Sequence, residues 1–184
     1  MKSIFRGLIF LISFNIFSQG SLEIIDSLDV FELEEVRVST IRAKTTDPVT
    51  QTNISKDYIS SRNLGQDIPI LLNYLPGVVT TSDAGTGIGY TGIRVRGSDA
   101  SRVNVTLNGI PFNDSESQST YWVNLPDFAS SIENIQLQRG VGTSTNGSGA
   151  FGASLNILTD IMQEKALASL SSSIGTYNTF KNTL

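Results

Sequence analysis

The densest concentration of unusual residue types in this chain is the run from Ile132 to Asn156, and it is the first place to look for chemistry. Gly142 and Gly147 stand at the G-x-x-x-x-G spacing of a phosphate loop, in which backbone amides cradle phosphate oxygens. Ser148-Gly149 follows where a Lys-Ser/Thr pair belongs, so the cation that would meet the phosphates is missing. Gly147, Gly149 and Gly152 spell G-x-G-x-x-G, but a dinucleotide loop must open a long helix after a strand. Here the β-type run Leu155-Asn-Ile-Leu-Thr comes next. What remains is a backbone folded tightly against another surface.

The other candidates are weaker. Asp114 and Glu116, with Asn113, could form an acidic pair or a calcium loop. They miss the D-x-[DN]-x-[DN]-G spacing and read as a solvated loop. Tyr121 and Trp122 read as stacking residues for a ligand or as packing, with packing favoured. Arg96, Glu133 and Arg139 read as a salt-bridged structural set. The chain has no histidine and no cysteine, which removes Ser-His-Asp and Cys-His catalysis, disulfides and nearly every zinc site.

The elements that must position these residues are short. Ser55 is placed to cap one helical turn. A second helix opens at Gly65-Gln-Asp67-Ile68-Pro69, with Ile68, Leu71, Leu72 and Leu75 at i, i+3, i+4 and i+7. Pro76-Gly77 ends it and Val78-Val79-Thr80 leaves as a strand. Ile93 to Gly97 reads as a strand with Ile93 and Val95 on one face, Arg94 and Arg96 on the other. Val103 to Leu107 leads into Asn108-Gly109, a strong two-residue hairpin signal. A short helix is expected between Leu125 and Ile132. Ile135 and Leu137 alternate with Gln136 and Gln138 in a strand, and a second strand spans Ser154 to Leu158.

The ends of the chain are distinctive. Lys2 and Arg6 precede an apolar run, Leu8 to Phe17, and small or polar residues follow it. This is the pattern of a secretory signal over residues 1–20, with cleavage expected between Ser18 and Ser21. The formal charge of −4 becomes −6 without Lys2 and Arg6 (−4 − 2), and no basic cluster offers a nucleic-acid footprint. Residues 21–48 form an extended N-terminal stretch in which Leu33, Val36 and Val38 permit a strand. That strand pairs either with a partner's sheet edge or with the domain's own sheet. From Lys165 to Ile174 small and apolar residues alternate with Ser over about ten residues, the pattern of an outer-membrane strand. Residues 161–184 are therefore expected to hold a first barrel strand and the start of a second, with the rest of a barrel beyond.

Several segments in order carry a resemblance. They are Leu71-Leu-Asn-Tyr-Leu-Pro-Gly-Val-Val, Ile93-Arg-Val-Arg-Gly, Val105-Thr-Leu-Asn-Gly-Ile-Pro-Phe-Asn-Asp, Ile132-Glu-Asn-Ile-Gln-Leu-Gln-Arg-Gly-Val-Gly and Gly149-Ala-Phe-Gly-Ala-Ser-Leu-Asn-Ile. Together the chain resembles the N-terminal plug domain of TonB-dependent outer-membrane receptors, particularly the Bacteroidetes type. The resemblance implies an α+β fold, a small mixed β-sheet plug with short helices at residues 49–160. It also implies that the plug is lodged in a transmembrane β-barrel of about 22 strands.

A gate for energised uptake of a scarce ligand is then expected, most of all an iron–siderophore complex, with no cofactor and no catalysis. Cobalamin and oligosaccharides are the other ligands of the family. The partners implied are TonB, the chain's own barrel and the ligand, and the location is the outer membrane of a Gram-negative bacterium. The resemblance places the TonB-contacting box at Leu33, Glu34, Glu35, Val36, Arg37 and Val38. It places ligand-facing loops at Asp83, Tyr90, Ser98, Asp99, Asn113, Asp114, Glu116 and Tyr121. Arg96, Glu133 and Arg139 match charged positions that lock plug to barrel wall. An exported β-rich adhesion or binding domain is the reading from a different class, and an exported hydrolase is disfavoured by the missing histidines.

Overall fold

The computed structural model describes residues 42–142, 146, 149–162, 166, 168–176 and 178–183, all within one compact unit. The expected signal and the box at Leu33 to Val38 lie outside the described residues. The chain is α+β, a small mixed sheet with short helices, as its sequence leads one to expect. Strand β1 (Gln51–Ser55) runs into helix α1 (Lys56–Arg62), and α2 (Ile68–Leu72) precedes β2 (Val78–Ser82) and β3 (Thr91–Val95). Then come β4 (Val103–Leu107), β5 (Ile110–Pro111), β6 (Ile132–Arg139), β7 (Ala153–Thr159), β8 (Ser171–Gly175) and β9 (Thr179–Thr183). The main sheet has the order β1-β6-β7-β4-β5; β4 and β7 are parallel and the other pairs antiparallel. Two hairpins, β2–β3 and β8–β9, stand apart from it.

Alternation in the central strands sorts side chains onto two faces. Ile54, Ile135, Ile157 and Leu107 face one another across four strands in register, as do Leu137, Leu155 and Val105. They make the core with Ile59 of α1, Ile68, Leu71 and Leu72 of α2, Val95 and Trp122. Gln51 opposite Gln138, Asn53 opposite Gln136, and Gln136 opposite Asn156 make the other face, which is rich in amides. That amide face is also covered: Gln136 is 2% and Gln138 1% exposed. An alternating strand ordinarily turns its polar side to water, and here both sides of β6 are interior.

A bulge at Glu133 keeps this sorting intact. Ile132 pairs with Thr159 and Asn134 with Leu158, so Glu133 is the extra residue. With unbroken alternation Ile132 would share the face of Asn134 and Gln136; the bulge turns it to the core, where it is 1% exposed.

Three sequence expectations change. The helix read from Ile68 to Leu75 ends at Leu72, and turn-type bonds Asn73 N→Ile70 O (3.2 Å) and Leu75 N→Leu72 O (3.0 Å) finish the segment. Leu75 still packs against the core, so the apolar spacing records burial beyond the α-helix itself. The helix expected at Leu125 to Ile132 is a single 3₁₀ turn, Phe128–Ser131. Arg96 is not on a strand beside Arg94: it lies just past β3 with φ 52°, its N–H bonded to Gly77 O at 2.7 Å. By contrast Asn108 (φ 50°) and Gly109 (φ 85°) form the two-residue turn their sequence announces, joining Leu107 to Ile110.

Truncating Leu137 to Ala should cost about 2–5 kcal/mol, as for a fully buried core side chain. Leu64→Ala, at a position 68% exposed, should stay within about 0.5 kcal/mol. Denaturant unfolding of the two variants checks both; equal effects would contradict the assignment of the core.

Candidate functional site

Three surfaces gather the residues with functional potential. The first is a cleft of about 230 Å³ between the β2–β3 hairpin and β4. Asp83 and Tyr90 border it from the hairpin tip, and Tyr121 and Thr120 from the segment after β5. Tyr121 is half-exposed at the rim, while its neighbour Trp122 is fully buried and belongs to the core. The hairpin holds its shape because Asp83 N donates to Tyr90 O (3.1 Å) and Gly87 N to Ser82 Oγ (3.0 Å). Asp67 anchors its loop end: its N–H meets Gly87 O at 2.9 Å, and its carboxylate accepts from Thr91 Oγ1 at 2.8 Å. Asp67 is itself buried, so the hairpin is docked by a polar contact inside the domain.

The remaining loop residues named from the sequence do not line this cleft. Asn113 turns inward: its side chain accepts from Val105 N (2.7 Å) and donates to Val103 O (2.9 Å) and Gln118 O (2.8 Å). It serves as a missing strand for the edge of β4. Asp114 organises the loop tip by accepting from Ser117 N (2.7 Å), Ser117 Oγ (2.9 Å) and Glu116 N (3.2 Å). Those bonds from Ser117 and Glu116 hold its carboxyl below the usual range. Glu116 is exposed on that tip. Asp99 caps the 3₁₀ turn Ala100–Arg102, accepting from Ser101 N at 3.3 Å. Ser98 packs so closely on Gly152 that no side chain fits there.

The second surface holds Arg96 and Arg139. Arg96 Nη1 donates to Arg139 O (3.3 Å), and Arg139 donates to Pro76 O (3.4 Å) and Thr52 Oγ1. Burial, then the like charge of Arg96, pull the Arg139 pKa down. Glu133, expected with them in one salt-bridged set, is elsewhere. It is six residues from Arg139 on the same strand (139 − 133), about 20 Å at 3.3 Å per residue. Glu133 pairs instead with Lys56 (3.7 Å), which also binds Asp160 at 2.5 Å. The hydrogen bond to Asp160 is the main reason that Lys56 holds its proton more firmly than usual. Among the described residues neither arginine has an acidic partner.

The third surface is the face of α1 and the 3₁₀ turn on which the β8–β9 hairpin rests. Lys181 reaches across to Asp127 Oδ1 (2.9 Å), Ser130 Oγ (3.3 Å) and Asn63 O (3.5 Å). Ser173 and Lys181 pair on the inner side, Ile174 and Phe180 on the outer, where both are exposed. Nothing in the sequence pattern flagged Asp127 or Lys181, which lie 54 residues apart. Among the described residues no cluster of acidic or histidine side chains could hold a metal.

This arrangement matches a known family over residues 43–154, the TonB-dependent receptor plug domain. The chain belongs to that family. No curated protein matches it. Among solved structures, FpvA of P. aeruginosa, bound to a heterologous pyoverdine in an Fe complex, is similar with TM-score 0.54 at 17% identity, covering 74% of this chain and 17% of that one. The ferric yersiniabactin uptake receptor FyuA of Yersinia pestis gives TM-score 0.52 at 16% identity, covering 73% and 20%. The siderophore receptor PirA of Acinetobacter baumannii is 26% identical with TM-score 0.49, covering 61% and 17%. The chain thus spans about a fifth of the length of these receptors.

In the plug, the glycine run has a structural use. Strand β7 follows it and pairs antiparallel with β6, so the crossover that a dinucleotide loop requires is not formed. A Cβ at Gly142 would meet Asn146 Nδ2 at 2.5 Å, and one at Gly152 would strike Ser98. At these two positions glycine lets the backbone pass directly against the Asn146 and Ser98 side chains.

The Lys181 tether has a defined pH response. Burial raises the Asp127 carboxyl, but hydrogen bonds from Lys181, Ser130 and Asn63 and the Lys181 charge outweigh it, leaving it below the ordinary 3.8. A depressed folded value means the contribution is whole above the unfolded value and is lost as pH falls through the folded one. Protection of the β9 amides from hydrogen exchange, corrected for intrinsic rate, should therefore hold down to about pH 4 and fall below it. Asp127→Asn should lose that protection at every pH; a variant with the wild-type profile would show that the tether does not hold the hairpin.

Proposed function

We propose that this plug is the gate of a TonB-dependent receptor that takes up a scarce ligand, most of all an iron–siderophore complex, across the outer membrane of a Gram-negative bacterium. The observation that carries the reading is the ordered family match from residue 43 to residue 154, spanning every strand from β1 into β7. In this reading the chain's own barrel begins after Asp160, and the β8–β9 hairpin is its first piece. The polar inner side and the exposed Ile174 and Phe180 of that hairpin suit a barrel wall with a wet interior and an apolar exterior. The plug is a gate rather than a catalyst.

The cleft bordered by Asp83, Tyr90 and Tyr121 is the proposed ligand-facing surface, with Ser98, Asp99, Asn113, Asp114 and Glu116 on neighbouring loops. Arg96 and Arg139 are proposed to meet carboxylates of the barrel wall. Arg96 reaches the Arg139 carbonyl, and neither guanidinium has an acidic partner among the described residues; an ion pair in a partly wet lumen can form and release. Glu133 would complete the lock through its Lys56–Asp160 neighbours. TonB is proposed to pair with Leu33 to Val38 as an added strand.

Deleting Phe31 to Val38 from the full-length receptor should abolish energised uptake and leave ligand binding intact. Unchanged uptake would sink the box. Replacing Arg96 and Arg139 together by Gln should leave the plug folded but raise leak of small solutes through the receptor, measured by vesicle swelling. An unchanged leak would count against the lock.

A further inference from the structure

The segment Arg42–Lys44 lies across the amide face of the sheet and is held there by side chains, with no ladder bond to any strand. Ala43 N donates to Gln136 Oε1 (2.9 Å), and Gln136 Nε2 donates back to Ala43 O (3.0 Å). One amide side chain thereby offers Ala43 the donor and acceptor that a neighbouring strand would supply. Arg42 Nη2 donates to Asn134 Oδ1 and Asn53 Oδ1, and Gln51 Nε2 donates to Lys44 O (2.6 Å). Gln136 Nε2 also meets Gln51 Oε1 and Asn53 Oδ1, each at 2.8 Å, so the clasp is tied to both β1 and β6.

We propose that Arg42–Lys44 is a releasable strap on the plug sheet, with Gln136 as its clasp, opening without disturbing the strands beneath. Two features set its opening cost low. The surface it covers carries amides, which water satisfies when the strap leaves, whereas uncovering an apolar face would cost about 25 cal/mol per Å². The strap also half-buries Arg42 without a carboxylate among the described residues, and its Nη1 has no partner there. Burial accordingly lowers the Arg42 pKa, and opening returns that guanidinium to water. The β1–β6 ladder below is different: five residue pairs and the core-facing Ile54 and Ile135 hold it independently of the strap. The inference goes beyond the uptake reading and does not depend on it.

Hydrogen exchange on the full-length receptor tests it. In the unaltered protein the Ala43 amide should exchange faster than the ladder amides of Ile54 and Ile135. Gln136→Leu, of similar size but without the amide, should speed exchange of the strap roughly tenfold, the scale of about one net hydrogen bond, with the ladder unchanged. Arg42→Met loosens the strap from its other end by removing its bonds to Asn134 and Asn53, with every strand residue left in place. It decides the question alone if Gln136→Leu fails to fold. Strap exchange unchanged in Arg42→Met and in any folded Gln136→Leu would overturn the proposal. Strap and ladder accelerating together would overturn it too, because the strap would then be part of the sheet's cooperative unit.

Discussion

Strand β6 is interior on both faces, and the rest of the domain follows from that constraint. A strand covered twice must satisfy two different neighbours with one alternating sequence. On one side Ile135 and Leu137 bury against Ile157, Leu155 and the two helices, which contributes most of the driving force for folding. On the other, Gln136 and Gln138 are desolvated and must find partners, since an unsatisfied buried amide costs about 1–3 kcal/mol. Gln136 finds them in Ala43, Gln51 and Asn53, and Gln138 donates to Gln136 Oε1 at 2.9 Å. The bulge at Glu133 is what allows Ile132 to share the apolar side. It also leaves Glu133 beside Lys56, so a packing device and a charge contact arise from the same extra residue.

The two faces have different mechanical characters. The apolar face ties helices, hairpin and sheet into one core, and opening it anywhere exposes hydrocarbon. The amide face carries coverings that contribute hydrogen bonds but little apolar burial: the strap at Arg42–Lys44, and Asn146, whose Nδ2 donates to Gln138 Oε1 at 3.1 Å. A gate that must stay folded while part of it moves is served by that division. Rigidity comes from Ile, Leu and Trp122; adjustable parts rest on Gln and Asn. The hairpin β8–β9 follows the same logic at the opposite end of the chain, attached by Lys181 to polar groups on α1 and the 3₁₀ turn.

Much of the fold was legible where a local rule applies. Asn108-Gly109 could hardly be anything but a tight turn, and the spacing of Ile68, Leu71 and Leu72 marked the buried side of a helix. Ile135 and Leu137 identified the core strand correctly. What alternation could not convey is that Gln136 and Gln138 are covered, because a polar side chain reads as solvent-facing until its cover is known. Glu133 and Arg139 looked close in sequence, yet a strand separates them by about 20 Å. Arg96 looked like a strand residue; the turn made with Gly77 lifts it out, and only then can it lean on Arg139. Of the loop residues, Asp83, Tyr90 and Tyr121 come together in one cleft, while Asn113 proves to be a backbone pin, a role visible only once β4 is seen to be short of a neighbour there.

The central claim is that this plug gates an energised import route. Uptake of radiolabelled ferric siderophore by cells carrying the full-length receptor, compared with and without a functional TonB, tests it most directly. Accumulation that requires TonB, with surface binding retained in its absence, is the predicted result. Equal accumulation in both strains would contradict the claim, as would a failure to accumulate any ferric complex from a panel spanning catecholate, hydroxamate and mixed chelators.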